Sequence, residues 1–597
     1  MSEKIVNDFS ITVGTENGSG SQTANTTILR SLFRMGIPVS GKNLFPSNIQ
    51  GLPTWYTIRV NKNGFTARRE THEIVVCMNA KSFSKDLADV SPGGVFFYDE
   101  SIRMDLTRDD LFVYAMPVKE IMLEQTEVPS NLRNLVANMV YVGILAQSIG
   151  IGLDNIKAAL EFHFKGKQKP VDLNFNTVLT AANWAKENLQ KVDPYYIEPM
   201  DKTEGLIMSD GNTAAALGSI YGGVQFISWY PITPASSLAE SLLEYLPVLR
   251  KREDGKNTYA VIQAEDELAA IGMSIGAGWG GLRAMTSTSG PGLSLMTEFA
   301  GLAYYAEVPV VIWDVQRVGP STGLPTRTSQ GDLTFTHYLG HGDTEQIILL
   351  PGTVNECFEF GWKSFDIAEH MQTPVFVLSD LDLGMNPWMT EPFQYPDAPM
   401  DRGKVLWEED LQKLKDWGRY RDVDGDGITY RTLPGNKQLN SAYFMRGTGH
   451  DQNARYSEDS TVWVENMDRL KRKYHNAAKF IPEPIIENTK DAKIGIVAFG
   501  TTELAVKEAR YQIETEIGLK SDSMRIRGIP FIDAVPAFIE SHEHNYVVEM
   551  NRDGQMYQLL LTEYPNLAEK LTSVAFNDGL PATAKWITDS IIAKEVI

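Results

Sequence analysis

The chain of 597 residues has little cysteine, and its two cysteines, Cys77 and Cys357, lie far apart in the sequence. Two isolated thiols cannot build a disulfide framework, a zinc site or an iron–sulfur site. We therefore predict no metal ligand set in this chain, and any metal cluster that the protein works with must belong to another chain.

Long apolar runs and basic side chains are also in short supply. No stretch approaches the roughly 20 apolar residues that cross a bilayer. The first residues, MSEKIVNDFSITVG, lack the apolar core of a signal peptide, which predicts a cytoplasmic protein without a membrane partner. The formal net charge of −21 disfavours nucleic acid and anionic membranes as partners. It also repels an acidic electron carrier, so such a carrier is expected to dock mainly on a different subunit.

What is present is the composition of an α/β protein of several domains. The length suits about three or four domains of roughly 150 residues each. A small α/β domain is predicted over 1–190, because FSITVGTENGSGSQTANTTILRSLFRMG has the pattern of a strand, a glycine loop and a helix. Polar residues punctuated by proline then predict a linker over 191–205.

Two further α/β segments follow. Over 206–385, strand-like runs such as QFISWYP, LRAMTSTS and VPVVIWDVQ alternate with helical patterns, which predicts a parallel sheet covered by helices. Residues 386–490 are rich in Pro, Asp and Asn and predict an insertion or connecting arm. The alternation returns in KIGIVAFGTTELAVKEA and NYVVEMN, which predicts a smaller α/β domain over 491–597.

The segment WYPITPASSLAE raises the question of why two prolines flank one hydroxyl. The spacing predicts Thr233 as a helix N-cap with Pro234 at the first helical position. A capped helix start explains this pattern completely. The alternative places the Thr233 hydroxyl at the carboxyl end of a parallel strand, where open α/β sheets bind ligands, on a backbone stiffened by proline.

Charged residues follow two other predicted strands. QAEDELAAIGMSIGA contains Glu265, Asp266 and Glu267, acids that favour the start of a helix. VIWDVQR places Arg317 at a strand end, where a guanidinium can hold a carboxylate with two hydrogen bonds. Arg327, in PTRTSQGD, is the rival for this role, and we interpret it as a surface loop residue.

Two glycine loops allow a binding and a structural interpretation. STSGPGLSLM, with Ser289 and Gly290, opens a predicted helix whose backbone N–H groups suit a phosphate or carboxylate, although a tight turn explains it equally well. Gly14, Gly18 and Gly20 follow the order G-x-x-x-G-x-G rather than G-x-G-x-x-G, which disfavours a nicotinamide dinucleotide.

An aspartate-rich loop resembles a calcium site in part. In RDVDGDGITYR, Asp422, Asp424 and Asp426 occupy the first, third and fifth positions of an EF-hand loop, but Leu433 stands where a bidentate glutamate is required. A complete EF-hand is excluded, which leaves a weak cation site or an ordinary turn. His450, in MRGTGHDQNARYSED, is interpreted as structural.

Several motifs together resemble one family. MSDGNTAAALGSIYGG, YPITPASSLAE, AEDELAAIGMSIGAGWGGLRAMTSTSGPGLSLM, VPVVIWDVQRVGPSTGLPT and VVEMNRDGQMYQLL resemble the α subunit of the 2-oxoacid:ferredoxin oxidoreductases, most closely the 2-oxoglutarate subgroup. The N-terminal segment resembles the family's γ domain, fused ahead of α. The resemblance implies a pyrimidine-binding domain of the thiamine-diphosphate fold over 206–385 and a transketolase C-terminal-like domain over 491–597.

The resemblance also implies roles for individual residues. Glu267 lies nine residues before Gly276, as does the family's glutamate that bonds the cofactor's aminopyrimidine ring; Glu265 does not fit this spacing. Arg317 matches the family's substrate-binding arginine. Thr233 is expected to donate a hydrogen bond to the 2-oxoacid or its cofactor adduct, and Ser289 with Gly290 to contact the cofactor.

A second apparent motif bears on the cofactor's other end. Gly425-Asp426-Gly427, 28 residues before Asn453, imitates the thiamine-diphosphate signature, but apolar strands do not precede either end. We reject it, so a β subunit is expected to supply the diphosphate–Mg²⁺ site along with the iron–sulfur cluster.

The implied reaction is the oxidative decarboxylation of 2-oxoglutarate with coenzyme A, which gives succinyl-CoA, CO₂ and reduced ferredoxin. It is reversible, and in the reverse direction it fixes CO₂, as in a reductive tricarboxylic acid cycle. An αβ or (αβ)₂ assembly is expected. Three alternatives stay open: a pyruvate, branched or aromatic 2-oxoacid as substrate, a nicotinamide-dependent dehydrogenase, and a non-catalytic cation-binding scaffold.

Overall fold

The computed structural model describes residues 3–46, 51–414 and 416–595, and it is an α/β protein with three large sheets. Two ribbons of two strands each complete the sheet structure of these residues. Within the described residues, no helix has the length and apolar character needed to cross a membrane. The predicted α/β class is therefore confirmed at the level of secondary structure.

The N-terminal sheet has six strands and combines antiparallel and parallel pairing. Its helices lie mainly toward the end of the segment and pack on an apolar core that includes Phe9, Ile28 and Leu145. The strands, in spatial order, are Val39–Leu44, Pro53–Asn61, Asp8–Glu16, His72–Cys77, Val90–Asp99 and Phe112–Met116. The helices are Ser21–Arg34, Phe83–Asp89, Val118–Glu124, Arg133–Val136, Asn138–Ile149, Leu153–His163 and Gln168–Asn188, with a 3₁₀ turn at Ser130–Leu132.

The central sheet has six parallel strands and one antiparallel edge strand, which comes from the C-terminal segment. Parallel strands need crossover connections, and helices supply them here. In spatial order the strands are Ala260–Gln263, Phe226–Trp229, Ala284–Thr288, Val310–Gln316, Pro374–Asp380, Ile347–Leu349 and Gly528–Ile529. The helices are Gly211–Tyr221, Ser236–Leu249, Glu267–Trp279, Gly290–Leu295, Thr297–Ala306, Leu333–His337, Val354–Met371 and Leu381–Met385.

The C-terminal sheet has five strands, four of them parallel. The spatial order is Ile485–Glu487, Ser521–Ile526, Ile494–Phe499, His544–Glu549 and Leu571–Ala575. The helices are Thr502–Ile517, Ala534–Glu540, Gln555–Glu563 and Ala584–Glu595, with a 3₁₀ helix at Pro565–Lys570. The strand Gly528–Ile529 leaves this segment to join the central sheet, so the two sheets are tied together.

The segment predicted as a linker is packed rather than free. Tyr195–Tyr196 pairs in parallel with Ile5–Val6, and the Met200 amide donates to the Met35 carbonyl at 2.8 Å. A second ribbon joins Ile207–Ser209 to Trp388–Thr390. These contacts cross the predicted boundaries between segments. The division of the chain into five segments stays a prediction.

Residues 386–490 contain little regular structure besides one long helix. The arm's elements are the strand Trp388–Thr390, the helices Glu408–Lys413 and Ser460–Asn476, and 3₁₀ turns at Leu439–Ser441 and Ala477–Phe480; the edge strand Ile485–Glu487 follows. A buried ion cluster fastens the long helix to the central domain: Glu307, which is 1% exposed, accepts from Arg469 at 2.6 Å and Lys473 at 2.8 Å. The two cations hold the pKa of Glu307 well below its usual value despite burial.

The side-chain ammonium group of Lys404 binds the carboxylates of the aspartate-rich loop. Lys404 Nζ lies 2.6 Å from Asp424 Oδ2 and 2.9 Å from both carboxylate oxygens of Asp426. Asp422 instead accepts from backbone amides of the loop and from Arg472. No cluster of three or more His, Cys, Asp or Glu side chains suited to a metal occurs in the described part of the chain. The loop is therefore explained by its bond to a lysine.

Candidate functional site

The predicted site residues all follow strands of the central sheet, at its carboxyl edge. Thr233 follows the strand Phe226–Trp229, and Glu267 follows Ala260–Gln263. Ser289 and Arg317 follow the next two strands, Ala284–Thr288 and Val310–Gln316. Because these strands are parallel, their carboxyl ends meet at one edge, where open α/β sheets bind ligands.

Arg317 and Thr233 are in direct contact. Arg317 Nη1 donates to the main-chain oxygen of Thr233 at 2.7 Å, and Nη2 donates to the Thr322 oxygen at 3.2 Å. The side chain is buried, and its Nε has no hydrogen-bond partner among the described residues. Burial lowers the pKa of Arg317, whereas the charges of Asp332 and then Glu267 oppose that shift. A cation held by neutral carbonyls with a free N–H suits a carboxylate ligand.

The predicted N-cap at Thr233 is wrong. The helix runs from Ser236 to Leu249, and Ala235 occupies the N-cap position. The Thr233–Pro234 peptide is cis, and the Ser236 hydroxyl bonds the Ile232 backbone instead. The segment 233–235 is thus a turn between strand and helix, and the Thr233 hydroxyl is not used as a cap. The explanation of this segment by helix capping therefore fails.

Glu267 is the buried acid of its cluster. It opens the helix Glu267–Trp279 and is 7% exposed, whereas Glu265 and Asp266 are exposed. Asp266 is the N-cap and accepts from the Ala269 amide at 2.7 Å, which confirms its predicted structural role. A Cβ atom added to Gly292 would lie 2.8 Å from Glu267 Oε1. Glycine at 292 therefore leaves room for the carboxyl group.

Ser289 and Gly290 begin a short helix, Gly290–Leu295, as predicted. Ser289 is fully buried, yet its hydroxyl neither caps the helix nor has another partner among the described residues. The hydroxyls of Thr286 and Ser287, on the strand before it, are also buried without a partner. Buried polar atoms ordinarily find a partner, so this edge has hydrogen-bonding capacity that the described residues leave unused.

Two acidic residues of the site were not predicted. Asp314 interrupts the apolar strand VVIWDVQ and is 0% exposed, and Asp332 lies just before the helix Leu333–His337. Asp314 pairs in register with Thr288, and a Cβ on Gly290 would lie 2.8 Å from both carboxylate oxygens of Asp332. A carboxylate inside an otherwise apolar strand was the sequence signal that could have revealed Asp314, whereas Asp332 carries no such signal.

The side chains of Arg327 and His450 make their contacts outside this constellation. Arg327 Nη1 donates to the Phe45 oxygen at 3.1 Å and to the Thr326 oxygen at 2.9 Å, so it links the N-terminal and central domains. Arg327 lies in a loop, as predicted, and is half-buried there. His450 is 1% exposed and its ring lies 3.9 Å from that of Tyr420, which agrees with a structural role.

The cysteines and the N-terminal glycines form no reactive cluster. Cys77 lies in the core of the N-terminal sheet and Cys357 in that of the central sheet, and burial raises the pKa of both thiols. Gly14 lies on the strand Asp8–Glu16, with the Asp86 carboxylate against its Cα. Gly20 caps the helix Ser21–Arg34 at φ 82°, a conformation that favours glycine. The predicted strand, loop and helix are confirmed.

Comparisons with known proteins identify the family of this chain. Residues 217–397 match the family model "Pyruvate flavodoxin/ferredoxin oxidoreductase, thiamine diP-bdg", and residues 10–184 match "Pyruvate ferredoxin/flavodoxin oxidoreductase". Subunit alpha of 2-oxoacid:ferredoxin oxidoreductase 2 from Aeropyrum pernix is 30% identical, over 93% of this chain and 92% of that protein.

Two further relatives name 2-oxoglutarate. The 2-oxoglutarate synthase subunit KorA of Methanothermobacter marburgensis is 36% identical over 58% of this chain and 88% of its own length. The structure of 2-oxoglutarate:ferredoxin oxidoreductase from Magnetococcus marinus with 2-oxoglutarate, coenzyme A and succinyl-CoA bound superposes with a TM-score of 0.88. That match is 28% identical and covers 100% of both chains. The predicted fold class is confirmed.

Proposed function

Because the chain belongs to the 2-oxoacid:ferredoxin oxidoreductase family as an alpha-type subunit, we propose that it supplies the substrate-holding half of an enzyme that oxidises 2-oxoglutarate. The reaction converts 2-oxoglutarate and coenzyme A to succinyl-CoA and CO₂, and two electrons pass to ferredoxin. The convergence of Glu267, Arg317 and Thr233 at one sheet edge is the observation that carries the proposal.

The aminopyrimidine end of thiamine diphosphate fits the residues present. Glu267 is a buried carboxyl beside a glycine that leaves space, and the unpartnered Ser289 hydroxyl lies at the same edge. When bound, thiamine diphosphate supplies a carbon nucleophile that adds to the oxo group and stabilises the electron pair left by decarboxylation. The described residues offer no acidic cluster for the metal at the diphosphate end. We assign that Mg²⁺ site to a β subunit.

Each residue of this chain has a role that follows from its position. Glu267 binds a ring nitrogen of the pyrimidine and exchanges a proton with it, which is general acid–base work by a positioned carboxyl. Arg317 binds the substrate's 1-carboxylate through its remaining N–H groups. The Thr233 hydroxyl, which is not used for capping, donates to the same substrate. The hydrogen bond from Arg317 to the Thr233 carbonyl keeps these two groups adjacent.

This chain has a surface beside Glu267 that suits the docking of a β subunit. The outer face of the helix Glu267–Trp279 exposes the apolar side chains Leu268, Met273 and Trp279. Gly276 lies on the same face, and a Cβ there would meet no atom within 4 Å. We propose that the β subunit packs on this face, so that a cofactor bound by Glu267 lies between the two chains.

The remaining cofactors belong to the same proposal. The separate burial of Cys77 and Cys357 supports an iron–sulfur cluster on the partner, with ferredoxin docking there. Coenzyme A is assigned as co-substrate because the Magnetococcus marinus structure contains it. 2-Oxoglutarate is preferred to pyruvate and to branched or aromatic 2-oxoacids on the names of KorA and that structure. A cytoplasmic location, an αβ or (αβ)₂ assembly and the direction of the reaction stay predictions.

Co-purification with the native partner tests the proposal. The complex is assayed with thiamine diphosphate, Mg²⁺, coenzyme A, a low-potential viologen dye and a panel of 2-oxoacids. We expect an iron–sulfur subunit to co-purify and 2-oxoglutarate to reduce the dye best. Glu267→Gln should lower turnover by a factor of about 10² or more, while Asp266→Asn keeps the helix cap and the activity. An intact complex that oxidises no 2-oxoacid, or a Glu267→Gln complex with normal turnover, contradicts the assignment.

A further inference from the structure

Asp314 and Asp332 are two carboxyl groups of the site whose side chains interact with each other. Asp314 is completely buried, and Asp332 Oδ2 is buried as well. The two side chains lie within hydrogen-bonding reach of one another. Nevertheless, neither oxygen of Asp314 nor Oδ2 of Asp332 has a hydrogen-bond donor among the described residues. The Asp332 backbone amide is held by Gln316 Oε1 at 3.1 Å, which fixes where its side chain begins.

Two ionised carboxylates in this arrangement would be unstable. Each accepts hydrogen bonds and donates none, and two negative charges this close in a buried site repel strongly. One proton shared by the pair removes both problems, because the protonated group donates to the ionised one. The lack of any other donor at Asp314 agrees with a partner that is the second carboxyl group.

The pair is linked to Arg317 by charge rather than by contact. Arg317 makes no ion pair within 4.0 Å in the described part of the chain, and its hydrogen bonds go to two carbonyl oxygens. The charges of Asp332 and Glu267 nevertheless raise the pKa of Arg317 against the effect of burial, and Gln316, which accepts from the Asp332 amide, directly precedes Arg317 in the chain. Building on the proposed function, we propose that Asp314 and Asp332 form a proton-sharing pair that serves as counter-ion to Arg317 and sets how tightly it binds the 2-oxoacid carboxylate.

Few other charges face the pair. The helix Glu267–Trp279 contributes Glu267, which acts on Arg317, and the helix Gly290–Leu295 contributes only the backbone of Gly290. The helix Gln555–Glu563 approaches with neutral Gln555, which bonds the Gly331 oxygen and the Thr334 amide. Arg317 and Asp314 are the groups that influence Asp332. A change in the charge of the pair therefore acts mainly on Arg317.

The arrangement makes substrate binding depend on pH in a defined direction. Burial raises the pKa of Asp314 well above its usual value and that of Asp332 to about 6. A bound substrate carboxylate adds negative charge beside Arg317, so it raises the proton affinity of Asp332 further. By linkage, protons that bind better to the substrate complex tighten substrate binding. The KM for the 2-oxoacid should therefore fall as pH decreases from 8 through about 6.

The first test measures KM for 2-oxoglutarate and for coenzyme A from pH 5.5 to 8 in the whole complex. For the wild type we expect at least about a threefold decrease in the 2-oxoglutarate KM toward low pH, the size of a modest charge interaction. The coenzyme A KM should not follow that curve. Asp332→Asn removes the titrating charge, so its 2-oxoglutarate KM should be low and independent of pH.

Variants of Asp314 separate a shared proton from mere packing. Asp314→Asn keeps a donor toward Asp332, so the wild-type pH profile should persist. Asp314→Leu removes the donor and should shift the profile to higher pH. Asp380→Asn is the matched control: Asp380 is a buried carboxyl on the neighbouring strand, and Thr501 Oγ1 donates to it at 2.5 Å. It should leave the profile unchanged.

Infrared difference spectra test the proton directly. The wild-type complex should show a carboxylic acid C=O band that shifts in D₂O, and this band should be missing in Asp314→Asn. The inference is overturned if that band persists, if Asp332→Asn retains the pH dependence of the substrate KM, or if Asp380→Asn abolishes it. A complex that oxidises no 2-oxoacid refutes the proposed function instead, and the infrared comparison then still decides whether the pair shares a proton.

Discussion

Arg317 binds Thr233 through the main-chain oxygen at 2.7 Å, so the threonine hydroxyl takes no part in that bond. The arginine fixes the backbone of the turn, and the hydroxyl stays available to a ligand. Substitutions at Thr233 can therefore remove the hydroxyl without breaking the contact to Arg317.

Thr233→Val tests the hydroxyl alone. We expect kcat/KM for 2-oxoglutarate to fall by a factor of about 10, the value of one hydrogen bond to a charged group, with an unchanged melting temperature. Thr233→Ser is the control, because it keeps the hydroxyl and should retain most of the activity. Equal activity of the valine and serine variants would show that the substrate does not use this group.

Gly292→Ala tests the space around Glu267. The added Cβ would lie 2.7 Å from Glu267 Cγ and 2.8 Å from Oε1, and it would also collide with the Thr288 hydroxyl. We expect the carboxyl group to be displaced and turnover to fall by a factor of about 10 or more, measured with saturating thiamine diphosphate.

Gly301→Ala is the matched control for that substitution. Gly301 lies in the next helix, Thr297–Ala306, and the atom nearest to an added Cβ is Gly340 Cα at 3.8 Å. Because alanine is the better helix former by about 1 kcal/mol, this variant should be at least as stable as the wild type and fully active. A Gly292→Ala enzyme with the same activity would show that Glu267 does not need this space.

The sequence predicts which residues lie at the carboxyl edge of the sheet better than it predicts where the connecting helices begin. Alternating apolar strands and helices place Thr233, Glu267 and Arg317 at strand ends, and parallel pairing then brings them together. The first residue of a helix depends on whether the preceding residues form a turn or a helix cap. Residues 233–235 form a turn, so the helix begins at Ser236 rather than at Pro234. Asp314 was missed because the meaning of a buried carboxylate depends on its spatial neighbour, Asp332, which is distant in sequence.

Contacts between domains could not be predicted from the sequence either. Arg59 Nη2 bonds Glu508 Oε1 and Nη1 bonds Oε2, both at 2.7 Å, and both side chains are nearly buried. The pair joins the N-terminal sheet to the helix Thr502–Ile517 across 449 residues of sequence. No local pattern distinguishes these two residues from the many charged residues of the surface.

Arg59→Met should destabilise the docking of the N-terminal domain. It leaves Glu508 buried without a cation, which typically costs about 3–5 kcal/mol. Limited proteolysis and thermal unfolding should show earlier release of the N-terminal segment. The double variant Arg59→Met, Glu508→Leu removes both charges and should recover most of the loss. A single variant as stable as the wild type would mean that this ion pair contributes nothing to docking.

His337 should make the protein sensitive to acid. Its side chain is 8% exposed, its Nδ1 has no partner among the described residues, and burial lowers its pKa from 6.5 to about 4. The unfolded chain therefore binds a proton below about pH 6.5 that the folded chain resists until about pH 4. Stability is lost as pH falls through this window, on the order of 3 kcal/mol for this one group.

His337→Phe should relieve part of that loss. Phenylalanine keeps the ring that packs on Tyr338 at 4.4 Å between centroids, and it removes both the titration and the unpartnered Nδ1. We expect a smaller decrease in the urea midpoint between pH 7.5 and pH 4.5 than in the wild type. His544→Gln, at an exposed histidine, should behave as the wild type does. If the His337→Phe midpoint falls as steeply as that of the wild type, other groups account for the acid sensitivity.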